Sequence, residues 1–205
     1  MKKAIKAMFY AIPVLLCISM HSSCSLRHRS PENLVQFVEN PENGLRKAVT
    51  VVPCVFTFQY KPAAYILDME QHPGGVAEKS RRQALDSMVW FNVTIQISGH
   101  NGSPLQYAAG NMAEYQARLN YYLNDAGRDF SLICGNDSLP ASAYWFEDHQ
   151  GLAPVATMIA GFRLRQAATI QYDLQIAYYD RVFRSGIIKT RIKVKDILNI
   201  PGAHQ

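Results

Sequence analysis

The densest group of residues with chemical potential is Glu147-Asp148-His149, which follows the aromatic run at 144–146 and precedes a turn at 151–154. A carboxylate beside an imidazole can serve acid–base catalysis or metal binding. Neighbouring side chains of an extended segment point to opposite sides, so the three do not readily face one substrate. The sequence also has no HExxH or GxSxG motif. We expect a solvated loop here, with a hydrolase site as the alternative.

A second group is basic. Four cations alternate along the end of the chain: Lys189, Arg191, Lys193 and Lys195. Alternation in a strand places them on one side, and Arg163 and Arg165 are expected to extend the row from an earlier strand. Such a stripe would suit lipid head groups, lipopolysaccharide phosphates or an acidic glycan. The alternative is that these cations keep an exposed edge strand from pairing with another chain.

Aromatic residues also occur side by side, at 121–122, 144–146 and 178–179. In a strand, one member of each group faces outward, where Tyr and Trp can stack on sugar rings or anchor a protein interface. The remaining members are expected in the core.

These residues are positioned by a body of strands with one good helix. Hydrophobic alternation predicts seven strands, at 49–60, 90–98, 130–134, 141–146, 157–165, 169–179 and 187–195. The third and fourth are expected to form a hairpin and the last three a meander. Ser103-Pro104 has the form of a helix start, which predicts one substantial helix over about 104–123. Shorter helices are expected at 31–38, 62–70 and 78–86. The fold class is therefore α+β and β-rich, with antiparallel sheets arranged like a β-sandwich.

Composition fits one packed domain. The chain has 205 residues, of which 48% are hydrophobic, 18% charged and 11% aromatic, which excludes collagen-like and disordered classes. No internal apolar run reaches the length of a membrane-spanning helix. We expect a single globular domain over 46–200, an anchor-proximal linker with a short helix over 24–45, and a tail over 201–205.

The N-terminus has the pattern of an export signal. Three lysines among the first six residues precede an apolar segment at 7–20, and Ser22-Ser23 stands before Cys24. This arrangement resembles the lipobox of bacterial lipoproteins, and segments at 59–62, 146–154 and the C-terminus look like parts of Bacteroidetes lipoproteins. The resemblance implies a signal peptide over 1–23, a lipid on Cys24 and a place in the outer membrane. Because residues 26–29 lack acidic side chains, it favours the periplasmic face. It implies no particular activity. Plain secretion is the alternative.

Loss of the signal changes the charge. Three of the 21 Lys and Arg residues lie in 1–23 and none of the 16 Asp and Glu residues does, so the net charge falls from +5 to +2. Nucleic acid is therefore not an expected partner. Cys54 and Cys134 remain in the body, either as a disulfide or as two small apolar thiols.

Together these features predict a non-enzymatic binding or scaffolding module of the cell envelope that needs no cofactor. Its membrane contact is the N-terminal lipid, and its partner is an envelope protein or glycan. The working part is expected to be one sheet face together with the loop at 147–154. The alternatives are an envelope hydrolase built on Glu147, Asp148 and His149, and a glycan-binding lipoprotein.

Overall fold

Hydrophobic alternation builds the two antiparallel sheets of the computed structural model, which describes residues 31–70, 76–164 and 170–202. The described strands are β1 (Arg46–Val51), β2 (Cys54–Lys61), β3 (Val89–Ile97), β4 (Phe130–Cys134), β5 (Asp137–Pro140), β6 (Ala143–Glu147), β7 (Val155–Phe162), β8 (Leu174–Asp180) and β9 (Gly186–Ile192). One sheet has the order β1-β2-β3-β7-β6 and the other β5-β4-β8-β9. The predicted β-rich α+β class is confirmed.

The core lies between the inner faces of the two sheets. β2 and β3 turn every second side chain inward, as the sequence pattern predicts. Phe56 of β2 lies 6.3 Å from Tyr178 of β8, ring centre to ring centre, and Tyr178 stacks on Phe130 of β4 at 4.6 Å. Aromatic contacts therefore connect the five-stranded sheet to the four-stranded sheet.

Three predicted strand arrangements are wrong. The segment 49–60 is a hairpin, because Val52-Pro53 forms the turn between β1 and β2. The segment 157–165 does not join a meander, since β7 pairs with β3 and β6 while β8 pairs with β4 and β9. β7 is therefore an internal strand of the five-stranded sheet, and most of its residues are buried. β4 likewise pairs with the short β5, and β6 belongs to the other sheet.

The described α-helices are α1 (Pro31–Glu39), α2 (Ala63–Glu70), α3 (Val76–Asp86), α4 (Met112–Asn124) and α5 (Val194–Leu198). The first three occupy the predicted segments. The longest helix, α4, begins eight residues later than predicted, because the Asn111 side chain accepts a hydrogen bond from the Glu114 amide and caps it there.

The segment before α4 is held in a different way. Ser103 accepts a hydrogen bond from the Leu105 amide, but Ala108 has a φ of +53°, which ends the turn. The Arg118 guanidinium donates to the carbonyl oxygens of Leu105 and Tyr107 at 3.3 and 2.6 Å. A side chain thus satisfies carbonyl groups that a continuous helix would have used. Met112 and Leu123 of α4 are exposed.

The α1 segment belongs to the folded body. Val38 and Leu45 are fully buried and are part of the same core as the strands. Gly44, at a φ of +79°, lies so close to the Asp196 side chain of α5 that a Cβ atom would not fit. This contact places the turn that follows α1 against α5, the helix that follows β9. The expected signal peptide over 1–23 and Cys24 lie outside the described residues.

Candidate functional site

Glu147 and His149 are brought together at the end of β6. The Glu147 Oε2 and His149 Nε2 atoms lie 3.8 Å apart, and both side chains are partly exposed. Asp148 is not part of this pair and accepts a hydrogen bond from the Gln150 amide at 2.7 Å. The three predicted site residues therefore do not converge, because Asp148 stabilises the turn that follows.

An open depression lies beside this turn. It has a volume of about 430 Å³ and is lined by Asp148, His149, Gln150, Leu152 and Ala153. Leu152 projects into solvent with 85% of its surface exposed. A shallow surface with one imidazole and one exposed apolar side chain suits contact with another molecule better than enclosure of a reacting group.

The strand that carries Glu147 is fixed from its inner side. The Tyr144 hydroxyl donates to the Tyr122 carbonyl oxygen at 2.8 Å, and the Phe146 ring stacks on Tyr122 at 5.2 Å. Trp145, between these two anchored residues, must point to the other side, where 67% of its surface is exposed. The prediction that one member of this aromatic group faces outward is confirmed.

Trp145 lies on the outer face of the five-stranded sheet, which we call the polar face. Strand register places it next to Ile159 of β7, followed across the sheet by Asn92 and Gln59. An adjacent cross-strand row runs from Glu147 through three threonines, namely Thr157, Thr94 and Thr57. Uncharged hydrogen-bonding groups thus occupy three neighbouring strands beside an exposed indole.

Asn92 stands at the centre of this face. Its side-chain oxygen is buried and has no hydrogen-bond partner within the ranges 31–70, 76–164 and 170–202. Gln59 beside it donates from Nε2 to the Val38 carbonyl oxygen at 3.4 Å. The polar face therefore holds an acceptor that its own sheet does not satisfy.

At one margin of the polar face, Lys61 pairs in register with Trp90 of β3. Burial lowers the pKa of Lys61, while the charges of Glu147 and Glu39 act in the opposite direction. Its ammonium lies 5.6 Å from the centre of the Tyr65 ring. The indole nitrogen of Trp90 donates to the Leu85 carbonyl oxygen at 3.1 Å, so this second tryptophan is fixed by the fold.

Three members of the predicted basic row lie on one face of the structure. Lys189, Arg191 and Lys193 are exposed on the outer face of the four-stranded sheet, because Ile188 and Ile192 take the core side of β9. Arg191 lies 3.3 Å from the Gln175 side-chain oxygen and 3.9 Å from an Asp173 oxygen.

Two parts of the basic prediction are wrong. Lys195 is not in the strand, since the chain turns into α5 at Val194, whose amide donates to Asp173. Arg163 is exposed, but it follows β7 and so belongs to the five-stranded sheet, which separates it from β9. Arg165 lies outside the described residues.

Comparison with known proteins finds no matching family model, no matching curated protein and no matching solved structure. In the described part of the chain, no helix has the length and hydrophobicity needed to cross a membrane. Among the same residues there is no cluster of three or more His, Cys, Asp or Glu side chains able to hold a metal ion.

Cys54 and Cys134 are both free thiols. They lie in different sheets, Cys54 at the start of β2 and Cys134 at the end of β4. Burial raises the pKa of Cys54 to about 12, with the nearby Asp180 charge adding to the effect. Burial and then Asp137 also raise the pKa of Cys134. Both thiols are therefore protonated at neutral pH and behave as apolar groups.

Sequence reasoning missed most of the polar face. The alternation of β3 shows that Asn92 and Thr94 point away from the core, but it does not reveal which strands lie beside them. The pairing of β3 with β2 and β7 brings residues from positions 57, 94 and 157 into one row. No local pattern encodes that long-range register.

Proposed function

We propose that this chain is a lipid-anchored module of the cell envelope that binds a partner protein through the polar face. The observation that carries the proposal is Trp145, which keeps 67% of its surface exposed although its two neighbours in β6 are anchored in the fold. An exposed tryptophan on a regular strand is characteristic of the residues that contribute most to protein interfaces.

The chemistry around Trp145 supports a protein partner. Ile159 adds an apolar contact beside the indole, while the partly exposed Thr57 and Thr94 offer uncharged hydrogen-bonding groups. An exposed indole at one margin of the face, on the edge strand β6, beside polar groups of β3 and β2 gives the mixture of apolar and polar surface found in protein interfaces.

The dimensions are adequate when the loop is included. Five strands at about 4.8 Å spacing and about eight residues in length give a face of roughly 500 Å². A standard interface covers about 800 Å² on each partner. The depression at 148–153, with exposed Leu152, begins one residue after Glu147 of this face and would supply additional contact area.

The proposed anchor would allow the polar face to bind its partner with modest affinity. Two or more acyl chains on Cys24 would keep the body at the membrane, because each buried methylene contributes about 0.8 kcal/mol. Confinement raises the effective concentration of a partner on the same membrane, so an interface of modest affinity is sufficient.

The partner surface is tested by site-specific crosslinking in the native envelope. A photoreactive side chain at Gln96, exposed on the polar face, is compared with one at Ser138, exposed on the four-stranded sheet. We expect a protein adduct from position 96 that is absent from position 138. Trp145→Ala should abolish this adduct and Trp145→Phe should restore most of it.

Equal adducts from both positions, or an adduct unaffected by Trp145→Ala, would contradict the proposed surface. Retention of the protein on an envelope polysaccharide, lost with Trp145→Ala, would instead establish glycan binding.

The anchor is tested separately with Cys24→Ala. The variant should move from the membrane pellet to the soluble fraction while its thermal unfolding stays unchanged. Unchanged sedimentation, or an unmodified N-terminus at another residue in mass spectra, would refute lipidation at Cys24.

A further inference from the structure

We propose that the outer face of β8 and β9 is a second membrane contact, which binds anionic phospholipid head groups beside the anchor. The inference rests on the lipid anchor of the proposed function and adds a surface that would orient the body. We call this surface the basic face; its residues are Tyr179, Arg181, Ile187, Lys189, Arg191 and Lys193.

The cations of the basic face are regularly spaced. Lys189, Arg191 and Lys193 occupy successive outward positions, about 7 Å apart along an extended chain. All three are exposed, and neither lysine forms an ion pair with another residue that the structure describes. Arg181 is different, because it is bound to Asp129 through two hydrogen bonds. Uncompensated positive charge is therefore concentrated along β9.

Apolar groups lie on the same face. Tyr179 and Ile187 are directly opposite each other in the β8–β9 register, with 42% and 61% of their surfaces exposed. The Arg181 guanidinium lies 4.9 Å from the centre of the Tyr179 ring. Aromatic and aliphatic side chains bordered by lysines are the composition of surfaces that settle at the boundary between head groups and acyl chains.

The length of the chain allows this face and the anchor to reach one membrane. Asp196 of α5 lies three residues after Lys193. It packs against Gly44, which lies five residues after the end of α1. α1 is nine residues long, or about 14 Å, and the seven steps from Cys24 to Pro31 span at most about 25 Å. A lipid on Cys24 and the basic face can thus reach the same membrane.

The arrangement is also consistent with the partner surface. The basic face and the polar face are the outer faces of two sheets that share one core, so they are on opposite sides of the body. Contact of the basic face with lipid would leave Trp145 directed away from the membrane. The alternative is that the cations only keep the edge strand β9 from pairing with another chain. That role predicts no preference for anionic lipid.

The test measures vesicle binding by protein that lacks the N-terminal lipid. The chain from residue 24 to residue 205, without the expected signal peptide and carrying Cys24→Ala, is sedimented with phosphatidylcholine vesicles that contain either no phosphatidylglycerol or about 30% of it. We expect binding that needs phosphatidylglycerol and weakens as salt rises. Adding Lys189→Glu and Lys193→Glu should weaken this binding about tenfold or more.

The matched control changes the same charge elsewhere. Lys79→Glu with Arg82→Glu alters two exposed cations of α3 and should change vesicle binding less than about twofold. A second pair, Lys189→Gln with Lys193→Gln, gives an intermediate loss and guards against a folding defect, which thermal unfolding monitors.

Binding that is independent of phosphatidylglycerol, or equal losses in the β9 and α3 variants, would overturn the inference. Binding to dextran sulfate but not to anionic vesicles would also overturn it, in favour of an acidic glycan. Every variant in this test lacks the N-terminal lipid. Its outcomes are therefore distinct from those of the Cys24→Ala fractionation, which tests the anchor itself.

Discussion

The Asp129 carboxylate accepts two hydrogen bonds from the Arg181 guanidinium, with Nε–Oδ2 at 2.6 Å and Nη2–Oδ1 at 2.7 Å. Asp129 also accepts from the Tyr121 hydroxyl at 2.9 Å, and only 8% of its side chain is exposed. These bonds join α4 and the turn that follows it to the connection between β8 and β9. One carboxylate thus fixes the helix to the four-stranded sheet.

Replacement of this carboxylate should destabilise the fold. Asp129→Asn loses one acceptor and directs an amide donor at Arg181 or Tyr121, so we expect the free energy of unfolding to fall by about 1–3 kcal/mol. Urea unfolding measures the change. Asp125→Asn is the control, because Asp125 pairs with the exposed Arg128 and should cost less than about 0.5 kcal/mol. Equal effects of the two substitutions would show that the Asp129 bonds contribute little.

Two adjacent residues of β6 should respond differently to truncation. Trp145→Ala removes an exposed side chain and should change the free energy of unfolding by no more than about 0.5 kcal/mol. Phe146→Ala removes a ring that is 6% exposed and stacked on Tyr122, at an expected cost of about 3–5 kcal/mol. Thermal or urea unfolding compares them. A large loss for Trp145→Ala would mean that the indole serves the fold, which would remove the main support for the partner surface.

Stability should fall at alkaline pH because tyrosines are buried in a neutral form. Burial and then Asp86 raise the pKa of Tyr60 to about 12, and burial is also the main cause that raises the pKa of Tyr144 and Tyr178. The unfolded chain releases these protons near pH 10. Their contribution is therefore complete below pH 10 and is lost as the pH rises toward the folded values, by about 1.4 kcal/mol per pH unit for each tyrosine.

This pH dependence is measured by urea unfolding between pH 8 and 12, together with tyrosinate absorbance. Tyr60→Phe keeps the ring that packs edge-on against Phe91 and removes one titrating group, so its alkaline loss should be smaller than that of the natural chain. Superimposable tyrosinate titrations of the folded and the urea-unfolded protein would contradict the prediction.

The two faces proposed for binding differ in how much of them the sequence predicted. Alternation alone predicted the outward row of Lys189, Arg191 and Lys193 and one outward-facing member of the aromatic group at 144–146, because the side of a strand on which a residue lies depends on its parity relative to the core residues. Lys195 was wrongly placed in the strand because the same alternation continues past Ile192. In the structure the strand ends at Ile192, and the Val194 amide donates a hydrogen bond to the Asp173 side chain. A distant carboxylate ended an element that the local pattern extended.

The start of α4 shows a similar limit. Ser103-Pro104 is a genuine turn signal, yet the helix begins after Asn111, whose side chain caps it, and Arg118 binds the carbonyl groups of the earlier turn. Both segments have residues suited to a helix start, and the choice between them depends on contacts that form only when the chain has folded.

The sequence by itself determined the composition of the body, the inward and outward sides of its strands, and the character of the residues that face solvent, since these follow from local periodicity. Only the tertiary structure decided which strands are neighbours. That choice placed β7 between β3 and β6, aligned Thr57, Thr94 and Thr157, and set Trp145 and Lys189 on opposite faces. Strand pairing is decided by which arrangement buries the inward side chains of the whole chain together, and that free energy belongs to contacts between distant segments.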